Sequence, residues 1–189
     1  MEITSNLWFW FWRWLHVIAG VAWIGHLWFF NFVNANLQKD LTADVKKLVN
    51  PSLMLRSLFF FRWGAMLTYI SGWGLIVIWG YMAKWGVLFS NGLTSINDPA
   101  NAQALWILVG MLFGTVMWFN VWFIIWPAQK KIIGAIQGGP APDPAVGPRA
   151  TLASKINTYL SVPLLLGMIS AHSSSTFGSG PLGITWGTM

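Results

Sequence analysis

The chain has 189 residues, of which 56% are hydrophobic and 8% charged, and its mean hydropathy is +0.57. A soluble domain carries roughly a quarter charged residues, so this composition excludes an ordinary soluble protein and a disordered one. In so apolar a chain, the net charge of +6 indicates membrane orientation rather than nucleic-acid binding. The lack of cysteine excludes disulfides, thiolate metal sites and a covalently attached c-type haem.

Four apolar stretches each reach the roughly 20 residues that a helix needs to cross a bilayer core. The sequence therefore predicts an all-α protein, a polytopic membrane four-helix bundle, because backbone polar groups in hydrocarbon must be satisfied within each segment. A four-helix transmembrane domain is predicted over residues 1–176 and a flexible tail over residues 177–189. The predicted helices run over about residues 7–32, 58–82, 104–126 and 152–173.

Basic residues are concentrated in two of the three connections between these helices. The first and third connections hold Lys39, Lys46, Lys47, Arg56, Lys130, Lys131 and Arg149. By the positive-inside rule both connections are cytoplasmic, so both termini are predicted on the outer, periplasmic side of a bacterial inner membrane. The lipid bilayer is thus the first expected partner.

Small residues and prolines predict details of the packing. Ridges that let helices approach closely are predicted at Gly64, Thr68 and Gly72 in the second helix and at Gly110 and Gly114 in the third. Pro163 predicts a kink in the fourth helix. The Pro- and Gly-rich stretch 138–148 predicts a linker between the third and fourth helices.

The three histidines, His16, His26 and His172, all lie in or at the edge of predicted membrane helices. An ionisable side chain there is costly, so a functional role is the first hypothesis, and a hydrogen-bonded packing role is the alternative. Imidazole is a common axial ligand of haem iron, and haem b is the metal cofactor that this set of side chains could best hold. For His26, a structural or proton-handling role is favoured.

Helical geometry narrows the choice of ligands. Gly20 and Trp23 share the helix face of His16, whereas His26 is ~80° around the helix and ~15 Å deeper, so one iron cannot use both as opposed ligands. His16 and His172 are therefore the predicted metal ligands, and Arg13 could neutralise haem propionates or, alternatively, snorkel to the interface as Arg62 could. The candidate cofactor-binding residues are His16, His172, Arg13, Gly20, Trp23 and His26.

Four stretches carry a family resemblance: residues 14–25 (WLHVIAGVAWIG), 61–72 (FRWGAMLTYISG), 120–130 (NVWFIIWPAQK) and 157–172 (NTYLSVPLLLGMISAH). They resemble the N-terminal membrane domain of bacterial membrane-bound urate oxidase, a cytochrome c-linked urate hydroxylase family. The first stretch is also similar to copper-resistance membrane proteins and to the bacterial membrane protoporphyrinogen oxidase family.

The urate oxidase resemblance implies a haem-associated redox membrane domain in which His16 and His172 are the family-matching histidines. The family enzymes have a longer membrane region and a C-terminal cytochrome c domain, so this chain resembles a truncated form that passes electrons to another polypeptide. Two positions depart from the family's pattern: Gly64 stands at an acidic position, and Lys155 and Ile156 stand where a histidine is frequent.

Three functions remain open from the sequence. The first is a haem b-binding integral membrane protein that transfers electrons from a membrane or small-molecule donor to a separate acceptor such as a cytochrome c. The second is an oxidoreductase that oxidises urate or a porphyrinogen. The third is a non-catalytic subunit of a larger membrane redox or pigment complex, in which histidine could equally ligate a chlorophyll-type magnesium.

Overall fold

The computed structural model describes the backbone of residues 2–78 and 99–170 and the side chains of residues 7–76 and 105–170. Within these residues the chain is helical and contains no strand. The elements are α1 (Glu2–Trp28), a π-helical segment π1 (Phe29–Asn34), α2 (Ala35–Asp40), α3 (Ala43–Ile78), α4 (Pro99–Phe119), a second π-helical segment π2 (Asn120–Ile125), α5 (Trp126–Ile136) and α6 (Val146–Ser170). Since π1 and π2 each continue an α-helix, the elements form four long rods, and the predicted all-α four-helix architecture is confirmed.

The four rods alternate in direction around the bundle. Gly72 lies near His16 and Gly64 near Trp23, so α1 and α3 are antiparallel. The ring contacts of Trp63 with Trp122 and of Tyr69 with Trp118 make α3 antiparallel to the third rod. The fourth rod is antiparallel to the first, because Trp28 bonds to Ser161 and Asn31 to Ser154, and it is antiparallel to the third in the same way. The start of α1 and the end of α6 therefore lie at one end of the bundle. We call that end the outer half and the opposite end, near α2 and α5, the inner half, following the predicted orientation.

Three helical rods are long and apolar enough to cross a membrane by length and composition: Leu7–Asp40, Leu105–Ile136 and Val146–Ser170. The rod formed by α3 is long enough but less apolar over its described residues, because Arg62 and small polar residues such as Ser71 interrupt its apolar surface. Large hydrophobic side chains cover the outside of the bundle, with Leu48, Tyr159 and Val21 among the most exposed. Such an exterior is expected of a membrane protein.

The helices extend well beyond the predicted apolar spans at their inner ends. Residues 43–57, predicted as part of a basic connection, form the first four turns of α3, and the third rod continues from residue 126 to Ile136. Hydropathy marks where the hydrocarbon ends, whereas a helix continues into the aqueous interface for as long as local propensity supports it.

The predicted linker after the third rod is confined to residues 137–145. Gly138, with a φ of +96°, ends α5, and the amide of Gly139 donates to the carbonyl of Gly134 at 2.9 Å. Only glycine adopts that backbone conformation without strain, and this arrangement is a common helix end. Pro163 lies within α6, whose helix continues through it from Val146 to Ser170.

The two π-helical segments have separate local causes. Pro127 lies two residues after the end of π2, and a proline ring clashes with the carbonyl four residues earlier, here that of Phe123 within π2, which a widened turn relieves. In π1 and just after it, the side-chain amides of Asn31 and Asn36 donate to the carbonyls of Leu27 and Phe32, at 2.9 and 3.0 Å. These side chains offer the backbone an alternative to the regular α-helical bonds.

Candidate functional site

A cavity of about 770 Å³ lies between the four rods in the outer half of the bundle. All four contribute to its wall, α1 from Arg13 onward, α3 from Thr68, α4 from Ile107 and α6 from Leu164. Its volume is within the range of roughly 300–1,000 Å³ that ligand and cofactor sites occupy. Most of the wall is apolar, with a few polar groups, including His16, Thr68 and Tyr69, directed from α1 and α3.

Glycines explain why the cavity forms between two tightly packed helix pairs. A Cβ atom added at Gly64 would lie 3.0 Å from the backbone nitrogen of Trp23, so α1 and α3 are in direct backbone contact. At Gly167, a Cβ atom would lie 3.2 Å from the carbonyl oxygen of Trp106 and 3.3 Å from the amide of Gly110, which joins α4 and α6 in the same way. Little space therefore remains between α1 and α3 or between α4 and α6, and the cavity lies between these two pairs.

His16 is half-buried on the cavity wall, where α3 orients its ring. Its Nδ1 atom is 3.1 Å from the hydroxyl of Ser71. That hydroxyl donates its single proton to backbone carbonyls of α3, to Leu67 at 2.5 Å with Thr68 at 3.2 Å as a second acceptor. Ser71 therefore accepts from His16, which assigns the imidazole proton to Nδ1 and the ring's lone pair to Nε2.

Packing holds the same ring from a second side. A Cβ atom added at Gly72 would lie only 3.1 Å from Cε1 of His16. A larger residue at this position would displace the ring by a few tenths of an ångström, so glycine lets the ring lie against α3 within reach of Ser71. An anchored second nitrogen is a general feature of histidines that ligate metals.

Three further predicted residues also line the cavity. Arg13 lies at its rim, with its guanidinium 5.5 Å from the ring centre of Phe9. Gly20 lies on the wall, and a Cβ atom there would be 3.9 Å from Thr68, an ordinary contact that leaves space on the cavity side. Trp23 is 2% exposed, and its buried indole Nε1 has no hydrogen-bond partner among the described residues.

The structure does not bring His26 to this wall. Its Nδ1 atom lies 2.7 Å from the carbonyl oxygen of Ala22, and its ring stacks on Phe60 at 5.9 Å with an interplanar angle of 20°. His172 lies outside the described residues, so its position relative to His16 stays a prediction. In the described part of the chain, no three His, Asp or Glu side chains group together as a metal site.

Sequence reasoning missed several side chains that shape this wall. Ser71 anchors His16, and Tyr69 stacks on Trp118 with ring centres 4.4 Å apart and nearly parallel planes. Met111 and Met168 also line the cavity. Ser71 could have been found, because it follows Thr68 by three positions and so continues the small-residue ridge that begins at Gly64.

Comparison with known proteins provides one match. Residues 96–184 match the sequence model of the family described as urate oxidase N-terminal. This segment, just under half of the chain, is similar to the urate oxidase N-terminal family. Of the four stretches that carry the resemblance, those at 120–130 and 157–172 lie inside the matched region, and those at 14–25 and 61–72 lie before it. No curated protein and no solved structure matches the chain.

Two asparagines of the family-matching stretches form a buried polar contact between the third and fourth rods. The amide of Asn120 donates to the side-chain oxygen of Asn157 at 2.8 Å, and Asn157 donates to the carbonyl of Met117 at 2.9 Å. Asn157 is fully buried. These bonds join the third and fourth rods immediately below the cavity, so the family-like asparagines support the floor of the site.

The first and fourth rods are joined by a similar polar layer. The indole of Trp28 donates to the hydroxyl of Ser161 at 2.9 Å, and Asn31 donates to the hydroxyl of Ser154 at 2.8 Å. At the level of these bonds and below them, large apolar side chains fill the centre of the bundle; the core there includes Leu27, Leu58, Phe61, Met117 and Val121. The cavity is consequently closed towards the inner side.

Proposed function

We propose that this protein is a haem b-binding, multi-pass protein of the bacterial inner membrane that transfers electrons, and that His16 would hold the haem iron in the outer-half cavity through Nε2. The observation that carries the proposal is the contact of His16 with Ser71. It anchors the imidazole by its Nδ1 proton on the wall of a cavity of cofactor size.

The residues of the wall fit the chemical parts of a haem. The apolar surface suits the macrocycle, and Gly20 leaves space for a flat ring beside His16. Arg13 at the rim suits the propionates, and the unpartnered Nε1 of Trp23 would be satisfied by a hydrogen-bond acceptor on a ligand. His172 is proposed as the second axial ligand on the strength of the sequence alone.

A bound haem supplies reversible one-electron chemistry, and the protein sets the conditions for it. Ser71 holds the tautomer and orientation of His16, while buried side chains such as Trp23 and Ile76 keep water away from the site. We propose that electrons arrive from a membrane or small-molecule donor. They leave to a separate acceptor, a cytochrome c or another membrane subunit.

The test is the visible spectrum of the full-length protein purified in mild detergent and titrated with haemin. The wild type and His26→Ala should give a b-type spectrum on reduction, because His26 bonds to Ala22 and does not line the cavity. His16→Ala and His172→Ala should each lose that spectrum. A wild-type protein that folds and stays colourless with excess haemin would contradict the proposal.

Oxidation of urate or of a porphyrinogen is a second candidate, and the match of residues 96–184 to the urate oxidase N-terminal family favours urate. This candidate predicts that urate alone reduces the haem of the purified protein under anaerobic conditions. If urate and protoporphyrinogen both leave the oxidised spectrum unchanged while dithionite reduces it, the electron-transfer function is retained and the enzyme is excluded.

Membership of a larger redox or pigment complex is a third candidate, favoured by the aromatic exterior. Trp8, Trp10, Phe119 and Phe123 are all exposed and could contact neighbouring subunits as well as lipid. Native gel electrophoresis in mild detergent distinguishes the two cases, because a complex migrates well above the 21.2 kDa monomer. Migration as a monomer would remove this candidate.

A further inference from the structure

Arg62 lies in a cage of three tryptophans between α3 and the third rod, away from the cavity wall. Its guanidinium carbon is 3.9 Å from the ring centre of Trp126 and 5.9 Å from those of Trp63 and Trp122. Trp63 and Trp122 also contact each other edge to face at 5.7 Å. The aromatic faces stabilise the cation and hold it in one place.

Among the side chains that the structure describes, no carboxylate balances this charge. Within residues 7–76 and 105–170, Arg62 forms no ion pair, and its Nε atom is buried without a hydrogen-bond partner. The acidic residue of α3, Asp44, lies about five turns earlier, roughly 27 Å along the helix. Neither π2 nor α5 contains an acidic residue. A half-buried guanidinium without a counter-charge is costly in a membrane unless an anion from outside the chain pairs with it.

A second cation converges on the same indole. The ammonium of Lys130 lies 5.9 Å from the ring centre of Trp126, and its side chain is exposed. The third rod brings Trp122, Trp126 and Lys130 together across the junction of π2 and α5, where Pro127 sets the widened turn. Two positive groups therefore share one aromatic platform.

The surroundings of the cage indicate a ligand that arrives from the bilayer. Trp63 is 41% exposed, Phe59 one turn earlier in α3 is 49% exposed, and Phe123, which follows Trp122 in the chain, is 59% exposed, so apolar surface for acyl chains lies beside the cage. By the positive-inside rule this end of the bundle faces the cytoplasmic leaflet. Basic pockets between membrane helices on that side are known to bind the head groups of anionic lipids.

We propose that Arg62 and Lys130, arranged around Trp126, bind the phosphate of an anionic phospholipid in the inner leaflet. The guanidinium presents paired N–H donors to two phosphate oxygens, and Lys130 adds a point charge from the aqueous side. A soluble phosphate shares this chemistry but does not use the exposed apolar flanks. The site is separate from the cavity and from His16.

The experiment is native mass spectrometry of the full-length protein in detergent, titrated with phosphatidylglycerol and, in parallel, with zwitterionic phosphatidylcholine. Arg62→Gln should weaken phosphatidylglycerol binding about tenfold, since it removes charge-assisted hydrogen bonds. Lys130→Gln, an exposed substitution that leaves the core intact, should weaken it about fivefold. The matched control Arg56→Gln, an exposed position on the same helix, should bind as the wild type does. Phosphatidylcholine binding should change in none of them.

A third arm uses inorganic phosphate alone. If inorganic phosphate binds in an Arg62-dependent way while phosphatidylglycerol binds equally to all variants, the lipid proposal is overturned in favour of a soluble anion. Equal phosphatidylglycerol affinity of the wild type, Arg62→Gln and Lys130→Gln would overturn it outright. If Arg62→Gln does not fold, the Lys130→Gln titration decides the question alone.

Discussion

The outer and inner halves of the bundle use the same four rods in different ways. In the inner half, large side chains such as Phe61 and Met117 meet at the centre, and the Asn120–Asn157 contact lies fully buried beside them. In the outer half, the helices of each pair touch backbone to backbone at glycines, and a cavity of about 770 Å³ remains between the pairs. The two halves therefore differ in packing: side chains fill the inner half, whereas the outer half leaves space between the helix pairs.

Adding one methyl group at either of two glycines tests the difference between the two halves most strongly. Gly64→Ala places a Cβ atom 3.0 Å from the backbone of α1, which cannot move aside, so the free energy of unfolding should fall by about 2–3 kcal/mol. Gly20→Ala places its methyl in open contact at 3.9 Å from Thr68. Since alanine also favours the helix, Gly20→Ala should leave stability unchanged or raise it by up to ~1 kcal/mol.

Titration of the two glycine variants with sodium dodecyl sulfate in mixed micelles, followed by circular dichroism, measures both free energies of unfolding. If Gly64→Ala and Gly20→Ala lowered the free energy of unfolding equally, the cavity wall at Gly20 would be packed as tightly as the backbone contact between α1 and α3 at Gly64. Gly20→Ala should also lower haemin affinity while Gly64→Ala, if folded, should affect it less, because only Gly20 lies on the cavity wall.

Ser71→Ala tests whether the cavity wall orients His16. Loss of the hydroxyl removes the acceptor for the Nδ1 proton, so haemin affinity should fall by about 10–100-fold while the protein stays folded. A haemin titration followed by absorbance provides the measurement. Thr158→Ala is the matched control, because its hydroxyl also bonds to a helix carbonyl, that of Ser154 at 3.0 Å, but does not line the cavity. Equal affinity of Ser71→Ala and the wild type would contradict an orienting role.

Asn157→Ala probes the polar floor between the two halves. It removes one partner of Asn120 and the donor to Met117, and the free energy of unfolding should fall by about 1 kcal/mol, as is typical of hydrogen bonds between membrane helices. Asn36 is exposed, and its described bonds, with Phe32 and Lys39, stay within the first rod, so Asn36→Ala should change the free energy of unfolding by less than about 0.5 kcal/mol. The same mixed-micelle titration compares the two. If Asn157→Ala lowered the free energy of unfolding less than Asn36→Ala does, the hydrogen bonds of Asn157 would not stabilise the bundle below the cavity.

The architecture was accessible from the sequence because hydrophobic length decides it. The four rods, the linker near Gly138 and the small-residue ridge at Gly64 all follow from composition and spacing. Helix ends were less accessible: α3 begins at Ala43, well before the apolar stretch, since a helix need not stop where the hydrocarbon does. The segments π1 and π2 carry no periodic signal, although Pro127 gives a local reason for π2.

The candidate site was accessible only in part. His16, Arg13, Gly20 and Trp23 line the cavity as one helix face, because a 3.6-residue period fixes which side chains of α1 point together. The contact between His16 and Ser71 depends on how α3 is positioned along the axis of α1. No pattern within a single helix determines that relative position. The cage around Arg62 likewise depends on a turn widened beside Pro127, so its three tryptophans could not be assigned to one site beforehand.

Imidazole rescue tests the central claim, that His16 ligates haem in the outer-half cavity, most directly. The His16→Ala protein, titrated with haemin in the presence of free imidazole, should regain the b-type spectrum of the wild type, because the cavity can admit a ring in place of the lost side chain. His172→Ala and His26→Ala, treated in the same way, show whether the rescue is specific to a ligand position. A His16→Ala protein that keeps the wild-type spectrum without imidazole would contradict the claim.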